Sequence, residues 1–195
     1  MPLPDSDTRK DWWLCCYGVT SMEKCMMCCS QILEICDSST HPLMLPLAVS
    51  AHVFYARPFE HNRGVGKMLS DVVPEKLRPI HKGIMTFRDK VFAHTDGDHN
   101  ETAGQPLHDV VYSVIDREPI FSTSDPRPQP QEYRRIGAHA KRMRAVFMTR
   151  LERHHKRFKG LLPDEEGHYL FGLSAGSPLF EDYTVPEFTR VLRFK

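Results

Sequence analysis

Apolar residues recur at three- and four-residue intervals along four stretches of this chain, the spacing that places them on one face of an α-helix. In the first stretch the pattern continues without a break from Trp12 to Cys36, which predicts a long helix buried along one seam. The second stretch is apolar on nearly every side, as expected for a helix in the middle of a bundle. The four predicted helices run from between Thr8 and Asp11 to before Asp37, from His41 or Pro42 to Arg57, from about Glu75 to His94, and from about Gln131 to Lys159.

Two short runs of β-branched and aromatic residues, Val110–Ile115 and Ile120–Thr123, interrupt the helical pattern. They flank the polar turn Asp116–Pro119, so they predict a small β-hairpin, inserted at about residues 108–123. We therefore expect an all-α fold, an antiparallel bundle of four principal helices with this hairpin before the last long helix. The helical domain is predicted to span residues 1–160, and residues 161–195 are predicted to form a loop-rich acidic C-terminal extension docked on the bundle.

Positive and negative residues nearly balance over the whole chain, with 26 Lys plus Arg against 25 Asp plus Glu, but they are unevenly distributed. Residues 131–160 contain ten Lys or Arg and two Glu, whereas residues 161–187 contain six acids and no Lys or Arg. The predicted fourth helix is therefore basic on the faces opposite its apolar stripe. We assign Arg142, Arg153 and Arg157 on this helix to contacts with an RNA backbone, and the alternative is an ordinary solvated charged face.

All six cysteines lie between Cys15 and Cys36, too close together in sequence for a disulfide framework that spans the domain. Cys25 and Cys28 have the Cys-x-x-Cys spacing that can supply two thiolates to a metal ion. The chain has no second pair at zinc-finger spacing, and three of the six cysteines fall on the apolar stripe of the first helix. Packing accounts for them, and we predict no metal site.

The hydropathy of the chain and its first seven residues indicate whether the protein enters a membrane or is secreted. The chain contains no run of 18 apolar residues, and its first seven residues lack the basic and apolar regions of a signal peptide. We therefore expect a soluble, cytoplasmic protein without a membrane partner.

A candidate site lies at the end of the predicted third helix, whose apolar stripe includes Leu77, Ile84 and Phe87. On a helical projection at about 100° per residue, Arg88 and His94 lie on opposite borders of this stripe, about 120° apart. A permanently charged guanidinium and a titratable imidazole thus flank one buried seam. Taken alone, His94 is also explained as a residue that interacts with the terminal carbonyls of the helix.

Two polar residues of the predicted second helix also bear on the site. We interpret His52 as a core or surface histidine rather than a catalytic one. For Arg57 two alternatives remain open: the side chain holds a phosphate, or it pairs with Glu60.

The motif residues resemble a known family. Arg88-Asp89, four further residues and then His94 match the Arg-polar-x(3 to 5)-His motif of the HEPN superfamily, the helical "higher eukaryotes and prokaryotes nucleotide-binding" domains. The stretch from Arg88 to Asp96, together with Phe54–Glu60 on the preceding helix, is similar to the abortive-infection type of HEPN protein. The resemblance covers about residues 11–159.

The resemblance implies a metal-independent endoribonuclease, a toxin or phage-defence effector without a cofactor. The 2′-hydroxyl of RNA attacks the adjacent phosphate, His94 serves as base or acid, and Arg88 holds the non-bridging oxygens. Asp89 orients Arg88, while Lys90 and Arg57 add RNA contacts. Because one helix places Arg88 and His94 apart, the resemblance and the projection together predict a homodimer with the site at its interface.

Two other functions fit the same sequence. HEPN domains also occur as non-catalytic nucleotide- or RNA-binding modules and as partners of an antitoxin protein. The third alternative is a structural helical adaptor in which Arg88 and His94 are polar residues of the packing.

Overall fold

The computed structural model describes residues 3–89, 101–102, 105–106, 110–115, 118–123 and 128–184, with only the backbone described at positions 101–123 apart from Val114. Among these residues there are four α-helices and three antiparallel strand pairs. The helices are α1 (Ser6–Ile35), α2 (Met44–Ala56), α3 (Arg78–Phe87) and α4 (Glu132–Arg157). The strand pairs are β1 (Glu101–Thr102) with β2 (Gln105–Pro106), β3 (Val110–Ile115) with β4 (Glu118–Thr123), and β5 (Tyr169–Phe171) with β6 (Phe180–Asp182).

The predicted all-α fold is confirmed, since the four helices form a bundle and the β3–β4 hairpin precedes the last long helix. Neighbouring helices are antiparallel. Asp11 on α1 contacts Arg150 on α4, and Glu23 on α1 contacts Arg144 on α4, so these two helices run in opposite directions. The same reversal relates α2 to α3, where Tyr55 contacts His81 and His52 contacts Ile84.

Helix α1 provides the longest buried seam of the bundle. It begins at Ser6, earlier than predicted, because the side chain of Asp5 accepts a hydrogen bond of 2.8 Å from the backbone N–H of Thr8. Most of the predicted stripe is buried, since Trp12, Cys15, Val19, Met22 and Cys29 are at most 2% exposed. Near the end of the helix the prediction was wrong, because Leu33 is 40% exposed and its neighbour Ile32 is buried instead. Helix α4 packs along this stripe through Ala140, Met143, Phe147 and Leu151.

Helix α2 buries one face rather than its whole circumference. Met44, Ala48, Ala51 and Tyr55 are fully buried, whereas the apolar residues Leu45, Val49 and Val53 are half-buried. The central position expected for α2 belongs to α1, which packs against both α2 and α4.

The predicted third helix is divided. A 3₁₀ turn at Glu75–Leu77 precedes α3, and Pro79, rather than Pro74, lies in the first turn of the α-helix. Arg88 and Asp89 continue α3 as a π-helical turn. The remainder of the predicted helix, from Lys90 to His94, lies outside the described residues.

The C-terminal extension docks on α1 through a buried cation. Arg9 is 0% exposed, and its Nη1 atom donates hydrogen bonds to the backbone carbonyls of Ser174 (2.8 Å) and Ser177 (2.9 Å), with Gly172 O at 3.1 Å. The extension contains the β5–β6 hairpin, which the sequence analysis did not predict. The Phe171 ring packs against Trp12, with ring centroids 5.1 Å apart.

None of the described helices combines the length and the apolarity that a bilayer crossing requires.

Candidate functional site

Arg88 ends α3 and is held by two carboxylates. Its Nη1 atom donates a hydrogen bond of 2.7 Å to Asp89 Oδ1 and lies 3.4 Å from Glu60 Oε1. The Arg88 side chain is 24% exposed, and its buried Nε atom has no hydrogen-bond partner among the described residues. The two carboxylates therefore fix one edge of the guanidinium of this five-donor group.

The π-helical turn places Arg88 at the end of α3. The backbone N–H of Arg88 donates to the carbonyls of Ile84 and Met85. These two bonds attach Arg88 to the last turn of α3. Asp89 contacts the Arg88 guanidinium, and that it orients Arg88 for a substrate stays a prediction. The contact with Glu60 was not predicted.

Arg57 does not pair with Glu60, one of the two contacts considered for it from the sequence, and its contact with a phosphate stays a prediction. Its guanidinium lies 5.0 Å from the centroid of the Phe54 ring, a cation–π contact, and the side chain remains exposed. Glu60 is paired with Arg88 instead.

A groove of about 530 Å³, the α3–α4 groove, adjoins the end of α3. It lies between α3 and α4, and Phe87, next to Arg88, is one of its walls. His52, buried on its floor, lies 3.4 Å from the carbonyl oxygen of Ile84, and burial lowers its pKa to about 4. His52 is therefore a neutral core histidine, as interpreted from the sequence. The groove is lined by His52, Pro79, Ile80, Gly83, Ile84, Phe87, Glu132, Tyr133, Arg135 and Ile136.

Three helices meet at a buried hydrogen-bonded chain that sequence reasoning missed. Tyr55 Oη lies 2.8 Å from Nδ1 of His81 and 2.8 Å from Nε2 of His139. The hydroxyl can donate its proton to only one ring, so the other ring must donate its own N–H to the hydroxyl oxygen. Burial lowers the pKa of both histidines, that of His139 to about 4, and raises the pKa of Tyr55. All three groups are therefore neutral near pH 7.

The basic face of α4 divides into structural and exposed cations. Arg144 pairs with Glu23 at 2.7 Å and Arg150 with Asp11 at 2.8 Å, so these two arginines join α4 to α1. By contrast, Arg142 and Arg153 are exposed and have no ion pair among the described residues. Arg157 lies over the Phe158 ring at 5.1 Å and is also exposed.

One group of metal-ligand side chains occurs among the described residues. The donor atoms of Asp11, Cys15 and His154 lie within 4.8 Å of one another. The carboxylate of Asp11 already accepts hydrogen bonds of 2.8 Å from Arg150 and His154, which lower its pKa despite the opposing effect of burial. Burial raises the pKa of the Cys15 thiol to about 12. The protonated thiol and the nearby guanidinium favour an ion-pair network over a cation site.

The structure brings together some of the predicted site residues. Arg88 and Asp89 are in contact, and Glu60 completes their cluster. Lys90 and His94 lie outside the described residues. Glu60 could have been found from the sequence, because it closes the Phe54–Glu60 stretch that shares the resemblance with the motif.

Comparisons of the chain with known protein families, with curated proteins and with solved structures found no match.

Proposed function

We propose that this protein is a metal-independent endoribonuclease of the HEPN type, in which Arg88 holds the scissile phosphate. The observation that carries the proposal is the Arg88 cluster. Asp89 and Glu60 hold the guanidinium through Nη1, so the orientation of this phosphate-binding group is fixed before a substrate arrives. A guanidinium whose geometry is fixed before the substrate arrives loses little entropy on binding.

In the proposed reaction the 2′-hydroxyl oxygen forms a bond to phosphorus and the bond from phosphorus to the 5′-oxygen breaks. His94 takes the hydroxyl proton or supplies a proton to the leaving oxygen. Arg88 stabilises the extra negative charge on the non-bridging oxygens. The products are a 2′,3′-cyclic phosphate and a free 5′-hydroxyl, and neither water nor an oxidant is consumed.

The test is cleavage of end-labelled RNA by the purified protein in EDTA. We expect products that end in 2′,3′-cyclic phosphate or in its hydrolysed form. His94→Ala should lower the rate by about 10² to 10⁴, and Arg88→Ala by about 10² to 10³. Arg88→Lys should remain slow, because one ammonium cannot reproduce a two-pronged contact.

The matched control for Arg88 is Arg63→Ala, which removes an exposed arginine of the loop between α2 and α3 and should cleave at the parental rate. A mixture of Arg88→Ala and His94→Ala protomers should regain activity if each site draws on two chains, as the proposed homodimer requires. Parental activity in both single variants, with their helical circular dichroism intact, would overturn the proposal.

A second candidate function is a non-catalytic RNA-binding module. The observation that favours it is the set of exposed cations on α4, which includes Arg142 and Arg153. RNA binding without cleavage, unaffected by Arg88→Ala, would select this candidate.

A further inference from the structure

A second concavity, the aromatic groove, lies between the bundle and the C-terminal extension, away from Arg88. Its volume is about 810 Å³. The first turns of α1, the end of α4 and the segment around β5 form its walls. It is lined by Trp12, Trp13, Cys16, His155, Leu162, Pro163, Glu165, Glu166, Gly167, His168, Tyr169, Phe171 and Phe180.

The aromatic rings of the groove are steeply inclined to one another. The planes of Trp12 and Phe180 meet at 81°, those of Phe171 and Phe180 at 69°, and those of Tyr169 and Phe180 at 81°. Trp12 is 2% exposed and forms the floor, whereas Trp13, Tyr169 and Phe171 are half-buried. Trp12 itself stacks on His154 and Phe158, so the rings that a ligand could reach are those of the half-buried residues Trp13, Tyr169, Phe171 and Phe180. Aromatic walls of this kind suit an organic cation, which the negative faces of the rings attract.

The charge at the rim of the aromatic groove also favours a cation. Glu165 and Glu166 are exposed, and neither forms an ion pair among the described residues. Among the described residues, the lining includes no lysine or arginine. Tyr169 holds the acidic loop against the groove by donating a hydrogen bond of 3.1 Å to the carbonyl oxygen of Glu165. Partial desolvation and the neighbouring His154 lower the pKa of His155, which favours its neutral form near pH 7.

We propose that the aromatic groove binds the basic side chain, arginine or lysine, of a partner protein. The alkyl stem lies against the rings, and the guanidinium or ammonium group lies between the ring faces and the two rim carboxylates. The groove opens to solvent at Glu165, Gly167 and His168, so the main chain of the partner stays outside. This site is independent of the proposed ribonuclease activity.

Tryptophan fluorescence reports on the groove directly, since the chain has two tryptophans and both line it. The probe is the peptide Gly-Arg-Gly-Arg-Gly, compared with the same peptide carrying citrulline, a neutral isostere of arginine. We expect a saturable fluorescence change with the arginine peptide and a much weaker one with the citrulline peptide. Equal responses to the two peptides, or none to either, would overturn the proposal.

Variants distinguish binding in the aromatic groove from nonspecific attraction of the peptide to negative charge. The double variant Glu165→Gln with Glu166→Gln should lower the affinity for the arginine peptide by roughly tenfold. Trp13→Leu should lower it by a similar factor, and Trp12 then remains as the fluorophore. The matched control is Glu34→Gln with Glu75→Gln, which removes the same charge from exposed positions elsewhere and should leave binding unchanged. If the control variant also loses affinity for the arginine peptide, or if Trp13→Leu binds it at the parental affinity, the attraction is nonspecific and the proposed site is refuted.

A third variant tests the identity of the occupant, because Arg190, Arg193 and Lys195 of the same chain are also basic. Replacing all three by alanine should leave peptide affinity unchanged. A clear gain in affinity would make the chain's own residues the occupant and would overturn the partner proposal.

Discussion

Gly18 allows α1 and α4 to approach closely. A Cβ atom at this position would lie 2.8 Å from Cδ2 of Phe147, a fully buried ring. Gly83 on α3 is different, because a Cβ there would meet no atom of the described residues within 4 Å. The two glycines therefore form a matched pair: one is needed for packing, and the other weakens its helix.

Gly18→Ala should lower the free energy of unfolding by about 1 to 3 kcal/mol, since the Phe147 ring must move within a packed core. Gly83→Ala should raise it by roughly 0.5 to 1 kcal/mol, because alanine loses less backbone entropy in a helix. Urea denaturation of both variants provides the measurement. Equal effects of the two substitutions would show that the close approach at Gly18 is unimportant.

The buried histidines predict how stability changes with pH. Burial lowers the pKa of His52 and of His139 to about 4, against an ordinary value of 6.5. Below pH 6.5 the unfolded chain binds protons that the folded chain excludes, so the free energy of unfolding falls as the pH drops from about 6.5 toward 4. Each histidine contributes up to about 3 kcal/mol to this loss.

Urea denaturation at pH 7.5 and at pH 5 tests this expectation. His139→Gln keeps a hydrogen-bonding group for Tyr55 and should reduce the difference in stability between the two pH values. His61→Gln, at an exposed position, is the control and should leave the difference unchanged. An undiminished difference in His139→Gln would contradict the assignment of His139.

Sequence reasoning at the level of single residues found Arg88 and Asp89 but missed most of their partners. Periodicity shows which residues share a face of one helix, and not which polar groups on different helices meet. Tyr55 and His139 are 84 positions apart in sequence, so only the tertiary fold brings them together. Arg57 illustrates the same limit, because its contact with Phe54 was not among the alternatives weighed.

At the scale of elements, helix positions could be predicted from apolar spacing, whereas helix ends depended on local chemistry. Asp5 caps α1 through a side-chain hydrogen bond, so the helix begins at Ser6, earlier than predicted. Strand β3 was predicted to the residue, because β-branched runs flank a polar turn, whereas β4 begins at Glu118, two residues earlier than predicted. The β5–β6 hairpin was missed, since strands of three residues are too short for an alternating pattern.

The exposed face of α4 predicts a salt-dependent interaction. Replacing Arg142, Arg153 and Arg157 by Glu should weaken RNA binding, because fewer counterions are released from the RNA backbone. The slope of log affinity against log salt should become shallower by about 0.7 for each lost phosphate contact with single-stranded RNA. Filter binding at several salt concentrations gives this slope.

The control for α4 reverses the same number of charges at exposed positions between α2 and α3, namely Arg63, Lys67 and Lys76. Affinity should change little in that variant. If both triple variants weaken binding equally, the effect follows from net charge, and the α4 face is an ordinary solvated surface.

At the scale of the whole molecule, the bundle depends on contacts between distant parts of the chain. Helix α1 packs against α4, and Arg144 and Arg150 on α4 pair with Glu23 and Asp11 on α1. The predicted order of elements was sufficient to give an antiparallel bundle. It did not show that the C-terminal extension closes over Trp12, because aromatic residues scattered among glycines and prolines carry no periodicity.

The hydrogen bonds of Arg9 can form only late in the synthesis of the chain. The acceptors Gly172 and Ser177 are 163 and 168 residues later in sequence, so a ribosome makes the guanidinium long before the carbonyl groups that enclose it. Until then Arg9 remains hydrated and the side of Trp12 that Phe171 later covers is open to solvent. The nascent chain thus carries an exposed indole, a feature that general chaperones bind, for most of its translation.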